Sequence, residues 1–183
     1  MHNLVIDIGN TFSKVAIFKQ RELVHYQRLT VLAEASLANL IDQFQVKNVT
    51  VSSVKQNISE LADFLKQRIN YIPFTTAITA GVKNNYQTLA TLGLDRWAKV
   101  IAAHCLYPNE ACLMIDAGTC ITYDVLTKES EYFGGSISLG INMRFKALNH
   151  YTGRLPLINW NQKEEIIPKG TNTENALKNG VLQ

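Results

Sequence analysis

Several large classes of protein are excluded by what this sequence lacks. It has three cysteines, Cys105, Cys112 and Cys120, an odd number at spacings of seven and eight, which suit neither a disulfide framework nor a Cys-x-x-Cys zinc site. A reducing, cytoplasmic location is expected. Proline occurs only four times and charged residues make up only 18%, against 46% apolar, which excludes a disordered polar segment. The formal charge is +3, and short basic clusters such as Lys19-Gln20-Arg21 carry no interleaved aromatics, so no nucleic-acid partner is expected. No run approaches the roughly 18 apolar residues of a membrane helix, and Asp7 interrupts the start where a secretion signal would be apolar. No membrane partner is expected either. Also missing are the Gly-x₄-Gly-Lys-Ser/Thr and Gly-x-Gly-x-x-Gly phosphate loops, the Gly-x-Ser-x-Gly elbow and the His-Arg-Asp loop of protein kinases.

At 183 residues the chain has room for one domain or two small lobes, at roughly 150 residues per domain. Leu4 to Ile6 leads to Asp7 and a Gly9-Asn10-Thr11 turn; Lys14 to Phe18 and Leu23 to Leu29 follow, which predicts a three-stranded antiparallel meander. Leu37, Leu40, Ile41 and Phe44 have helical spacing, and Asn48 to Ser53 reads as a strand. A second helix is expected from Asn57 as N-cap, with Ile58, Leu61, Leu65 and Ile69 on one face. Tyr71 to Thr75 reads as an edge strand, and a third helix from about Asp95 turns Trp97, Val100, Ile101 and Cys105 to the core.

The pattern then repeats. Leu113-Met114-Ile115-Asp116-Ala117-Gly118-Thr119 matches Leu4-Val5-Ile6-Asp7-Ile8-Gly9-Asn10 in its leucine, aspartate and glycine, and a returning strand, Ile121 to Leu126, follows as before. A polar turn at Thr127 to Ser130 and a strand reaching Gly134-Gly135 complete the second meander. Such a duplication is expected to set two carboxylate-bearing turns across a cleft. After Gly140 a helix carries Met143, Ala147 and Leu148, a polar linker spans Asn159 to Glu165, and a last helix starts near Thr173 as N-cap.

A glycine turn after a strand lets backbone N–H groups approach phosphate. Asn10, Thr11 and Thr119 add donors, Lys14 adds a point charge, and a strand-end carboxylate can hold a cation or its water. Alternatively, Asp7 and Asp116 merely cap hairpins. In Gly93-Leu94-Asp95-Arg96, Asp95 is either a base that takes a proton from an attacking alcohol or an ordinary N-cap, and Arg96 either grips a carboxylate or is simply exposed. Gly134, Gly135 and Gly140 read equally as turn and helix-start glycines or as cleft-wall glycines, and His104 reads as a helix-face residue.

The ordered set Asp7-Ile8-Gly9-Asn10-Thr11, Tyr86, Gly93-Leu94-Asp95-Arg96, Asp116-Ala117-Gly118-Thr119 with Asp124, Gly134-Gly135, Leu155-Pro156 and Gly170 to Thr173 resembles the type III pantothenate kinases. That resemblance implies an α/β fold of duplicated ribonuclease-H-like lobes with mixed sheets, as in the acetate kinase, sugar kinase, Hsp70 and actin superfamily. The first lobe is expected over 1–112 and the second over 113–183. Family members continue past the glycine matching Gly180, so the second lobe is expected to be incomplete. The implied activity is ATP-dependent phosphorylation of pantothenate to 4'-phosphopantothenate, the first step of coenzyme A synthesis, by a homodimer. The resemblance also implies roles residue by residue. Asp7, Ile8, Gly9, Asn10, Thr11, Phe12, Ser13 and Lys14 match the first ATP-phosphate segment, and Thr119 matches a second ATP contact. Asp95 matches the base; Tyr86, Gly93, Leu94, Asp95, Arg96 and Thr173 match pantothenate contacts; Asp116 matches the ligand of a monovalent cation, potassium or ammonium, used alongside Mg²⁺. Cys120, Leu139, Gly153 and Leu89 depart from the family pattern, and none removes a proposed acid, base or donor. Two alternatives stand beside this reading: a non-catalytic regulatory binding protein like the Bvg accessory factor, and a kinase for another small alcohol.

Overall fold

Alternating apolar residues build the first sheet. In the computed structural model, which describes residues 1–53, 57–160 and 169–182, strands β1 (His2–Ile8), β2 (Ser13–Lys19) and β3 (Glu22–Leu29) form the expected antiparallel meander. Helix α1 (Glu34–Phe44) follows and ends at Gln45, which turns left-handed at φ 49°. The chain then enters β4 (Val46–Ser53), parallel to β1, and later β5 (Asn70–Tyr71), parallel to β4, with α2 (Ser59–Lys66) between them. The order β3-β2-β1-β4-β5 is the mixed sheet expected of a ribonuclease-H-like lobe. One face of it buries Leu4, Ile6, Val15, Ile17, Val49 and Val51 with Leu37, Leu40 and Ile41 of α1 and Leu65 of α2. Apolar surface removed from water stabilises the folded chain by about 25 cal/mol per Å², and this cluster contributes in that way.

The remaining elements are β6 (Lys83–Asn84), a short 3₁₀ helix (Leu89–Thr91), α3 (Leu94–Leu106), β7 (Cys112–Ala117), β8 (Cys120–Leu126), β9 (Glu131–Leu139), α4 (Ile141–His150) and α5 (Thr173–Leu182). The second sheet has the order β6-β9-β8-β7. The chain divides into two compact units, Met1–Cys112 with Leu126–Phe133, and Leu113–Val125 with Gly134–Gln183. Phe145, Ile158, Leu177 and Val181 form the core of the second unit.

Several local expectations need correction. Helix α2 begins at Ser59, and Asn57 acts just before it, its side-chain oxygen accepting the Ser59 N–H at 2.9 Å and the Ser59 hydroxyl at 2.8 Å. Ile69 packs on the core from beyond the helix end. The strand expected over Tyr71 to Thr75 shrinks to Asn70–Tyr71, and the Ile72 N–H still donates to the Val49 carbonyl at 2.8 Å just beyond it. In α3 the buried face is Arg96, Trp97, Val100 and Ala103, while Cys105 is exposed. Thr173 is the first residue of α5, and Asn172 fills the cap position by accepting the Asn175 N–H at 2.8 Å. The linker expected over Asn159 to Glu165 lies, from residue 161, outside the described residues.

Candidate active site

The first Asp-x-Gly turn is four residues long, 9–12, and is closed by the Gly9 N–H donating to the Phe12 carbonyl at 3.0 Å. Asp7 and Lys14 are register partners across β1 and β2, and their side chains form an ion pair of 3.3 Å that solvent still reaches. Strand alternation sends Ile8 and Ser13 to the opposite face, beside a groove of about 520 Å³ that also takes in Asn57 and Ser59. The charged pair therefore faces away from that groove. Across β1 and β4, Asp7 pairs with Ser52, which is buried and whose hydroxyl oxygen has no hydrogen-bond partner. A buried polar atom left without a partner costs roughly 1–3 kcal/mol, so this hydroxyl is available to a bound water or ligand. Arg28, which pairs with Lys14 across β2 and β3, places its guanidinium 3.7 Å from the centre of the Phe12 ring. Composition and spacing did not single out Arg28 or Ser52; only strand register connects them to the turn.

The second constellation starts α3, which packs against β4. Gly93 occupies the N-cap position, and no side chain caps the helix, so Asp95 is not the ordinary N-cap considered above. Instead its carboxylate folds back over Gly93, where a Cβ would lie 2.6 Å from the Asp95 Oδ1. Glycine at 93 thus leaves room for the carboxylate there. Arg96 is only 4% exposed, with its guanidinium 5.7 Å from the centre of the Tyr86 ring. Tyr86 in turn lies nearly parallel to Tyr132, with centroids 6.1 Å apart at 12°, and Tyr132 leans on Trp97 at 5.8 Å. Tyr86, Gly93, Leu94, Asp95 and Arg96 are therefore brought together in the first unit. Tyr132 and its part in this cluster were missed, because nothing local in the sequence ties it to residues so far upstream.

The second Asp-x-Gly turn belongs to the second unit and is only two residues long, between Ala117 and Cys120. Gly118 N–H donates to the Cys120 carbonyl at 2.9 Å, and the Thr119 carbonyl accepts the Gly140 N–H at 3.0 Å. A Cβ at Gly140 would run into the carbonyl oxygens of both Gly118 and Thr119, so this glycine is needed where α4 starts against the turn. Gly135 likewise lies too close to the Tyr123 carbonyl for any side chain. Asp116 is half-buried at the end of β7, and a cavity of about 120 Å³ lies beside Ala117, Gly118, Ile141 and Trp160. Thr173 is exposed at the start of α5 in the same unit. Asp124 is fully buried on β8, and His104 meets Ser130 at 3.0 Å through Nδ1.

Among the described residues no group of three or more His, Cys, Asp or Glu side chains gathers to hold a metal. Mg²⁺ commonly needs only one or two carboxylates, with waters and substrate phosphates completing its shell. Asp7, beside the unpartnered Ser52 hydroxyl, is the carboxylate that fits, and Asp116 with the carbonyls of its short turn offers oxygens alone for a monovalent cation. No described helix is long and apolar enough to cross a membrane.

A family model, type III pantothenate kinase, matches residues 3–183. A type III pantothenate kinase from Phocaeicola vulgatus is 39% identical over 186 residues, covering 99% of this chain and 74% of that protein. One from Christiangramia forsetii is 40% identical, covering 98% of this chain and 74% of its own length. Among solved structures, a Campylobacter jejuni protein described as a Baf family transcriptional activator superposes with a TM-score of 0.59 at 28% identity, over 97% of this chain and 73% of that one. With a match that runs through both Asp-x-Gly turns and the Gly-Leu-Asp-Arg start of α3, the chain belongs to the type III pantothenate kinase family.

Proposed function

We infer that this protein uses ATP to phosphorylate pantothenate to 4'-phosphopantothenate, the first step of coenzyme A synthesis. The observation that carries this reading is the start of α3, where Asp95 is free of capping duty and folded over Gly93, next to a buried Arg96. Asp95 is the base. Its carboxylate takes the proton of the primary hydroxyl as the hydroxyl oxygen bonds to the γ-phosphorus and the bond to the ADP oxygen breaks. Arg96 presents a planar fork that grips the pantothenate carboxylate, and Tyr86, Gly93 and Leu94 shape the rest of that subsite.

The segment Asp7 to Lys14 holds ATP phosphates through turn N–H groups and the Lys14 ammonium, and Thr119 adds a second ATP contact. Mg²⁺, when bound, neutralises charge on the phosphoryl oxygens; Asp7 would hold it and Asp116 would hold potassium or ammonium. We read the chain as two ribonuclease-H-like lobes, 1–112 and 113–183, in a cytoplasmic homodimer whose partners are small molecules, not nucleic acid or membrane. The likeness to a protein described as a transcriptional activator supports a second reading, a regulator that binds pantothenate without turnover.

A coupled assay of ADP release with pantothenate, Mg²⁺ and potassium separates the two. The kinase is expected to turn over, and Asp95→Asn to lower kcat at least about 100-fold. Binding of pantothenate without ADP release favours the regulator, and an active Asp95→Asn variant removes Asp95 as the base.

A further inference from the structure

We propose that Tyr132 is a positioning residue for the pantothenate subsite, acting through Tyr86; this rests on the kinase reading above. Tyr132 is fully buried and serves as the platform beneath Tyr86, whose ring lies 6.1 Å away and 12° from parallel. The same residue also fixes the backbone that carries Tyr86. Asn84 is the register partner of Tyr132 where β6 runs parallel to β9, and the Tyr132 carbonyl accepts the Asn85 N–H at 2.8 Å. Just before this bond on the same two segments, the Ser130 carbonyl accepts the Lys83 N–H at 2.9 Å and Lys83 pairs with Glu131 at 2.6 Å. The Asn84 side-chain oxygen then accepts the Tyr86 N–H at 3.1 Å. From its other neighbours Tyr132 takes Trp97, which is itself anchored by its indole N–H on the Ile78 carbonyl at 2.8 Å.

Tyr86 thus has little freedom, and through its ring the guanidinium of Arg96 is limited as well. A buried arginine that must meet a substrate carboxylate in one geometry gains from such restriction, because ordering the side chain is not left to the moment of binding. The device is planar. An aliphatic side chain of similar volume at 132 would fill the space but would give Tyr86 no flat surface to lie on.

Calorimetric titration of pantothenate into the full chain and two variants tests this. Tyr132→Phe keeps the ring and is expected to bind within about twofold of wild type, even if it loses some stability with its hydroxyl. Tyr132→Leu is expected to weaken pantothenate binding about 3- to 10-fold, the worth of an aromatic pair, while ATP affinity is unchanged. In the wild type, pantothenate is expected to slow exchange of the Asn85 and Tyr86 amides, a measurement that stands even if Tyr132→Leu does not fold. Equal binding by folded Tyr132→Leu and wild type, equal weakening for ATP and pantothenate, or unchanged amide exchange on binding would each overturn the role of Tyr132. Failure of the wild type to bind pantothenate at all would overturn the kinase reading itself.

Discussion

The strand that leads into the first Asp-x-Gly turn and the strand that leads into the second carry nearly the same residues but are covered differently. Leu4 and Ile6 in β1 are fully buried beneath α1 and α2, whereas their counterparts Leu113 and Ile115 in β7 are 61% and 59% exposed. The turns differ as well. The first is four residues long and open, with Lys14, Arg28 and a lone buried hydroxyl around it; the second is two residues long and packed against Gly140. A repeated motif therefore specifies strand, turn and carboxylate, but neither the cover of the strand nor the reach of the turn.

Cutting the same leucine side chain from both strands separates a filled core from an open face. Leu4→Ala removes a side chain from a filled core and is expected to cost about 2–5 kcal/mol of stability, read from the midpoint of urea unfolding. Leu113→Ala removes an exposed one and is expected to change stability by less than about 0.5 kcal/mol. Similar losses at the two positions would mean that the apolar face of β7 is covered in solution, and the contrast between the strands would disappear.

Much of the first lobe was legible because its signals are local. Period-two alternation in β1 to β3 and the spacing of Leu37, Leu40, Ile41 and Phe44 needed no knowledge of distant neighbours. The face of α3 was harder. Its pattern allowed Ile101 and Cys105 inward, and a charged Arg96 was not expected on the buried side until Tyr86 and the packing of α3 on β4 gave it a place there. Gly93 was legible as a motif residue, but its reason, room for the Asp95 carboxylate, depends on a side-chain rotation that no spacing records. Ser52, Arg28 and Tyr132 were not legible at all, because each joins the candidate site by pairing across a sheet.

If the first turn is the one that reaches phosphate, its lysine should matter for the ligand far more than for the fold. Lys14→Met is expected to weaken ATP binding about tenfold, in line with a charge-assisted contact worth roughly 1.5 kcal/mol. Stability is expected to move by less than about 1 kcal/mol, because an exposed ion pair such as Lys14 with Asp7 contributes little. Titration of ATP and urea unfolding of the same variant give both quantities, and a large stability loss without a change in ATP affinity would make Lys14 a structural residue.

The smallest effect is the most discriminating. Ser52 pays desolvation for a hydroxyl that bonds to nothing in the protein, and it sits across from Asp7, on the strand against which α3 packs. If that hydroxyl serves a phosphate or the water of a cation, Ser52→Ala should weaken ATP binding in the presence of Mg²⁺ by about 3- to 5-fold, the loss of one neutral hydrogen bond. The same change removes an unsatisfied buried oxygen, so the folded state should be as stable as the wild type or slightly more so. A purely structural serine would give the reverse, lower stability with unchanged affinity. Opposite signs in the two measurements at a single position would show that this end of the sheet is organised for a ligand at the expense of the fold, which is the property that distinguishes the open turn from the packed one.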